Sequence, residues 1–258
     1  MTADTPQPIR LEGLRYLANG TAVLDGLDLT VQKGEIFAIL GRSGTGKSTL
    51  LRLIMGLIRP SSGRIWVNDR DITELTEQEL GEVRQDMGMV FQGAALFDSL
   101  TVAENVGFAL VEHRRLPRPE VAGRVAELLQ MVDMADTEAL LPAQLSGGMR
   151  KRVGVARALA LSPSIMLYDE PTAGLDPISA SAINDLVRRL RDKVGVTTLI
   201  VSHDVESLRR VCDRAALLHG GRFLTVGAMS QLDSDPGPAV KQFLSGSPEG
   251  PLTEGAGR

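Results

Sequence analysis

The sequence predicts an α/β fold: a parallel sheet covered by helices, an antiparallel hairpin ahead of it, and a helical insertion within it. Three observations carry this expectation. Short apolar strand signals alternate with helical ones, an Asn-Gly pair separates two strand patterns near the start, and strand signals vanish from Gly93 to about Leu161.

Taken in order, residues 9–16 and 22–30 read as two strands joined by a turn at Asn19-Gly20, a strong hairpin signal. Residues 35–40 form an apolar run that ends in glycine, as a buried strand does. Residues 48–57 repeat leucine and isoleucine at helical spacing and stop at the Pro60-to-Gly63 turn. Residues 64–67 and 87–91 are strand-like. Thr76 with Glu79 and Thr101 with Glu104 have the spacing of capping boxes that open helices. The 93–161 stretch is helical, punctuated by Pro117, Pro119 and Pro142, and reads as an insertion. Strands return at 165–168, 197–201 and 215–218, with a helix over 183–193. That alternation implies a parallel sheet with both faces covered. Beyond Gly227 the chain is rich in Pro and Gly, but Val240, Phe243 and Leu244 fall at i, i+3 and i+4. A short helix with an apolar stripe is expected there, docked on a protein surface.

The composition excludes several function classes. At 258 residues, 43% hydrophobic and 23% charged, the chain has an ordinary globular make-up. A net charge of −4 gives no bulk attraction to nucleic acid, so no nucleic-acid partner is expected. Cys212 is the one cysteine, which suits a reducing cytosol. No apolar run approaches the roughly eighteen residues needed to span a bilayer. The Met1–Arg10 segment has neither a basic start nor an apolar centre, so no signal peptide is expected. A link to a membrane would run through a partner.

The chemistry is concentrated in a few motifs. Gly41, Arg42, Ser43, Gly44, Thr45, Gly46, Lys47, Ser48 and Thr49 fit the P-loop pattern, between a strand and a helix where the motif must lie. Its glycines let backbone N–H groups turn inward, and the helix start adds positive potential for phosphate. Lys47 would reach the β- and γ-phosphates, and the Ser48 hydroxyl would ligate Mg²⁺. The dinucleotide fingerprint fails, because Thr49 stands where glycine or alanine is needed. Asp169 and Glu170 end an apolar strand. Neighbouring strand residues point to opposite sides, so Asp169 can hold Mg²⁺ while Glu170 takes a proton from the attacking water. Ser146, Gly147 and Gly148 open a second helix able to bind an anion, which suggests that each ATP is closed by a second copy of the chain. Each motif alone has a plainer reading, as a cap, a turn or a solvated strand end.

As an ordered set, the P-loop, Gln92, Leu145-to-Met149, Tyr168-to-Glu170, Gly174-to-Asp176 and His203 resemble the nucleotide-binding domains of ABC transporters. The resemblance covers residues 9–227. It implies a RecA-like P-loop NTPase core (9–92 and 162–227) with an antiparallel β subdomain, a helical subdomain (93–161) and a C-terminal tail (228–258) docking on the partner protomer. It further implies that Tyr16 stacks on adenine and that Gln92 touches Mg²⁺ and the attacking water while sensing the membrane partner. Ser146, Gly147 and Gly148 would contact the γ-phosphate of the opposite protomer. Asp176 would lie at the dimer seam, and His203 would hold the γ-phosphate and Glu170. ATP and Mg²⁺ are the implied cofactors.

Finer wording narrows the resemblance. Met149, the 91–102 segment, the 168–176 phrase and the 240–251 tail look like the ATPases of Mla-type phospholipid transport. That likeness implies a head-to-tail dimer on the cytoplasmic face of the inner membrane. Its partners would be a multi-pass permease, an MCE-domain lipid-binding protein and a small STAS-type subunit. The apolar 93–97 patch beside Gln92 is where such ATPases receive the permease. An importer for amino acids or other small solutes, a soluble ABC ATPase without a permease, and a nucleotide-binding regulator remain alternatives.

Overall fold

The computed structural model describes residues 7–113 and 116–253; most of the Met1–Arg10 segment and the end of the tail lie outside the described residues. The chain divides into two compact units, one of Met1–Glu74 with Val201–Arg258, the other of Leu75–Ile200. Along the chain run β1 (Ile9–Ala18), β2 (Thr21–Val31), β3 (Ile36–Leu40), α1 (Lys47–Ile54), β4 (Ser62–Val67) and β5 (Arg70–Asp71). They are followed by α2 (Glu77–Gln85), β6 (Met87–Val90), α3 (Val102–Glu112), α4 (Arg118–Met131), α5 (Gly147–Ala158), β7 (Ile165–Asp169), α6 (Pro177–Val194) and β8 (Thr197–Ser202). The last elements are α7 (Val205–Arg209), β9 (Arg214–His219), β10 (Arg222–Ala228), α8 (Met229–Asp233) and α9 (Pro238–Ser245).

In the first unit β2, β1, β4 and β5 form an antiparallel sheet in that order. The expected turn closes β1 on β2, with Asn19 at φ 50° and Gly20 at φ 80°. This left-handed pair matches the twist of the flanking strands. Strands β10, β9 and β3 neighbour one another in that order. β3 lies parallel to β9, and all five of its residues are buried. Asp213 ties the two together: its carboxylate accepts from the Ile36 N–H at 2.8 Å and its own N–H donates to the Ile36 carbonyl at 2.8 Å. Strand β10, antiparallel to β9, had no sequence expectation. Its apolar residues Leu224 and Val226 are exposed, so it has no buried apolar face to announce it.

The tail helix forms as expected, with Val240 buried and Phe243 and Leu244 half-buried. Gln242 is also buried and organises the residues beyond the helix. Its Oε1 accepts from the Leu252 N–H at 2.7 Å, and its Nε2 donates to the Ser247 carbonyl at 3.3 Å and the Thr253 hydroxyl at 3.2 Å. Leu252 is buried, and its carbonyl accepts from Arg42 Nη1 at 2.6 Å. The tail is thus seated on its own unit, beside the glycine-rich loop.

In the second unit β6 lies parallel to β7. Both capping boxes are present, at Thr76 and Thr101. Pro117 caps α4 and Pro119 lies in its first turn, so these prolines start a helix instead of breaking one. Asn105, fully buried on α3, fixes the loop before its own helix. Its Oδ1 accepts from the Phe97 N–H at 2.8 Å, and its Nδ2 donates to the carbonyls of Phe97 at 3.1 Å and Leu100 at 3.0 Å. Removing it takes the buried amide's bonds from the Phe97 N–H and the Leu100 carbonyl. Asn105→Ala is therefore expected to lower the unfolding free energy by about 2–3 kcal/mol, measured as a reduced urea midpoint.

Candidate functional site

The glycine-rich loop follows β3 in the first unit. A Cβ on Gly41 would stand 2.6 Å from the Leu218 carbonyl oxygen and 2.8 Å from Thr45 Oγ1, so no side chain fits there. Gly44 and Gly46 take φ of 80° and 99°, the left-handed region in which side chains are strained. Gly46 caps α1 without a side-chain bond, so the helix start presents its N–H groups into the loop. Lys47 is buried and donates to the carbonyls of Gly41 at 2.8 Å and Arg42 at 3.0 Å. Thr45 Oγ1 also donates to the Arg42 carbonyl, at 2.9 Å. This geometry fits a phosphate chain cradled by backbone.

Tyr16 lies in the same unit, half-buried on β1 and opposite Leu24, whose side chain lines Gly46. His203 follows β8 and is exposed. It shares a cavity of about 520 Å³ with Arg42 and Ser43, whose other walls include Phe243, Leu252 and Thr253 of the tail. The placement of the tail in this wall went unpredicted.

The carboxylates belong to the second unit. Asp169 is half-buried and Glu170 is buried. Glu170 takes φ 47°, a left-handed conformation that costs a residue with a Cβ roughly 1–2 kcal/mol. Gln92 is exposed and opens a turn in which Ala94 and Ala95 are left-handed as well, at φ 60° and 49°.

Helix α5 holds both strained segments. Ser146 caps it, accepting from the Met149 N–H at 3.2 Å. Gly147 approaches Leu175 Cδ2, and Gly148 approaches Ser179, at 3.3 and 3.6 Å from where their Cβ atoms would be. Ser146–Gly148 and the turn before α6 are therefore neighbours in one chain. Asp176 caps α6, accepting from the N–H groups of Ile178 and Ser179 at 3.0 Å each. The Ser179 hydroxyl and N–H hold its carboxyl below the usual carboxylate range.

Further along α5, Lys151 is buried. It donates to the Gln92 carbonyl and, at 3.3 Å, to the Glu170 carbonyl. Burial holds its amine below the usual lysine range, opposed by the charges of Asp169 and Glu170. Arg157 donates to the carbonyls of Ala95 at 2.6 Å and Ala94 at 3.2 Å. Sequence reasoning missed both. Lys151 stands in the run Arg150-Lys151-Arg152, which reads as a solvated charged face. Only packing reveals that its middle member is buried while Arg150 is exposed.

The 93–97 patch is mostly at the surface, with Gly93 and Ala95 exposed and Leu96 half-buried. Ala94 is buried, while Phe97 is exposed and stacks at a tilt on Phe108 at 5.0 Å. Apolar surface continues along α3 and α4, in a cavity of about 660 Å³ lined by Leu100, Phe108, Val111, Val121 and Val125. Cys212 is inert by comparison, its thiol pushed up to about 12 by burial.

Residues 24–173 match the ABC transporter family. Among curated relatives, the chain is 48% identical to "Methionine import ATP-binding protein MetN 2" of Rhodococcus jostii, over 87% of this chain and 66% of that protein. It is 40% identical to "Intermembrane phospholipid transport system ATP-binding protein MlaF" of Haemophilus influenzae, over 95% of this chain and 92% of that one. The chain thus spans just under two thirds of the methionine-import relative. Among solved structures, cbiO1 from Clostridium perfringens, part of the ABC transporter complex cbiONQ, superposes with a TM-score of 0.83 at 32% identity, covering 89% of this chain and 92% of that one. A dimeric post-hydrolysis ATP-binding cassette bound to ADP and Pi superposes with a TM-score of 0.78 at 32% identity, covering 86% and 98%. The fold, the loop and the family match agree: the chain belongs to the ABC transporter family and carries its ATP-binding, ATP-hydrolysing domain.

Proposed function

We propose that this chain is the ATPase subunit of a transporter that moves phospholipid in a bacterial envelope, working as a head-to-tail pair under a multi-pass permease. The observation that carries this reading is the likeness to the phospholipid-system protein over 95% of this chain and 92% of the relative. The wording of residues 91–102 and the tail supports it. No helix among the described residues is long and apolar enough to cross a membrane. In this reading the permease holds the subunit at the cytoplasmic face of the inner membrane, together with an MCE-domain protein and a STAS-type subunit. The Phe97–Phe108 surface and the apolar cavity beside it receive the permease.

In the proposed mechanism Lys47 and the loop N–H groups bind the β- and γ-phosphates, while Tyr16 stacks on the adenine. Ser48, Gln92 and Asp169 would hold Mg²⁺, which would supply positive charge beside the phosphate oxygens. Glu170 accepts a proton from water as its oxygen attacks the γ-phosphorus and the bond to the β-phosphate oxygen breaks. His203 steadies the γ-phosphate and Glu170. Ser146, Gly147 and Gly148 complete the site of the opposite copy, with Asp176 at the seam. The tail, seated on its own unit in the single chain, engages the partner in the pair.

A second reading, methionine import, is favoured by the 48% identity to the Rhodococcus jostii protein. Affinity purification from detergent-solubilised membranes separates the two. The lipid reading expects a permease with an MCE-domain protein and bound phospholipid; recovery of a solute-binding protein with methionine-stimulated ATPase activity would overturn it.

Three variants test the roles. Glu170→Gln is expected to slow hydrolysis by about a hundredfold or more while ATP still binds and traps a closed dimer, seen by size-exclusion chromatography. Phe108→Asp should leave ATP binding intact and abolish recovery of the permease in the same purification. Deleting residues 240–258 should weaken dimerisation and complex assembly, measured by native mass spectrometry.

A further inference from the structure

Lys151 sits where two segments of the proposed machinery meet, and none of the motifs that announce the family assigns it a task. Its ammonium is buried, and it donates to the backbone carbonyls of Gln92 and Glu170. Both segments are conformationally costly: Glu170 is left-handed at φ 47°, and Ala94 and Ala95 behind Gln92 are left-handed at 60° and 49°. The direction of the Glu170 carboxylate is set by that backbone, because a left-handed residue aims its side chain differently from one continuing the strand. A cation bonded to both carbonyls makes the two segments share one anchor. Gly154, one turn further along α5, packs against the anchored turn, where a Cβ would stand in ordinary contact 3.4 Å from Ala94 Cβ. Arg157 then takes the carbonyls of Ala94 and Ala95.

We propose that Lys151 is a positioning residue for ATP hydrolysis: it locks the Glu170 backbone in its left-handed conformation and ties it to the Gln92 turn. Movement of the Gln92 turn is thereby transmitted to the aim of the Glu170 carboxylate, and α5 carries Lys151, Arg157 and the Ser146 cap as one rigid body. Lys151 is not itself a reacting group. The inference rests on reading Glu170 as the base.

The test compares Lys151→Met and Lys151→Arg in the full chain, with steady-state ATP hydrolysis, nucleotide affinity and thermal unfolding as readouts. Methionine keeps length and loses every donor, whereas arginine keeps charge and donors. Lys151→Met is expected to lower kcat by about a hundredfold, the cost of a misaimed group, with KM within about twofold and an unchanged unfolding midpoint. Lys151→Arg should recover most of the lost kcat. If Lys151→Met hydrolyses at the normal rate, or loses stability in step with activity, or if arginine restores nothing, the inference falls. Glu170→Gln assayed alongside separates the two claims. Normal turnover by that variant removes the premise, whereas a slow Glu170→Gln with a normal Lys151→Met removes the Lys151 inference alone.

Discussion

The α-carbon of Gly41 and the carbonyl of Leu218 approach so closely that a single added carbon would stand 2.6 Å from the oxygen. That contact joins the end of β3 to the end of β9, and the phosphate loop starts from it. Its counterpart at the other end of the strands is the Asp213 clamp on Ile36, which fixes where β3 begins. Between these two ties, five buried residues leave β3 no freedom of register. The loop inherits that rigidity, and α1 is launched from Gly46 with its N–H groups facing inward. A loop held this way cradles an anion without reorganising, which is what makes backbone an effective phosphate ligand.

The second unit achieves the same end by a different balance. Among its residues with side chains, Ala94, Ala95 and Glu170 at the site adopt left-handed backbone, each at a cost of roughly 1–2 kcal/mol. Charged donors from one helix meet the carbonyls around them, and the gain from those bonds is offset in net stability by the cost of burying the charges. The clamp therefore selects the backbone conformation more than it stabilises the fold. Strain held by a few identifiable donors can also be released by moving them, which suits segments that take part in a cycle.

What was legible in the sequence was local. The Asn19-Gly20 turn, both capping boxes, the Ser146 cap and the P-loop each depend on residues within a few positions of one another, and each formed as the pattern required. What was illegible depends on contacts distant in sequence. Arg42 and Leu252 are 210 positions apart, and nothing in either neighbourhood announces the other. Lys151 reaches 59 positions back to Gln92, from within a basic run that looks solvated. Strand β10 failed as a sequence signal for the opposite reason: its alternation is present, but its apolar residues Leu224 and Val226 face outward.

The comparisons divide between methionine and phospholipid for a physical reason. Much of this chain forms strands, loops and helix starts that serve one nucleotide chemistry, and those constraints are indifferent to cargo. A high identity to one relative therefore reports mainly on shared catalytic machinery. Information about the client must lie where that chemistry places no demand, on surfaces that meet other proteins. On the proposed reading those are the exposed Phe97 and Phe108 with the apolar cavity along α3 and α4, and the tail anchored through Gln242 and Leu252. Likeness at those positions weighs more for cargo than likeness averaged over the chain, and the 91–102 and tail wording bears on both.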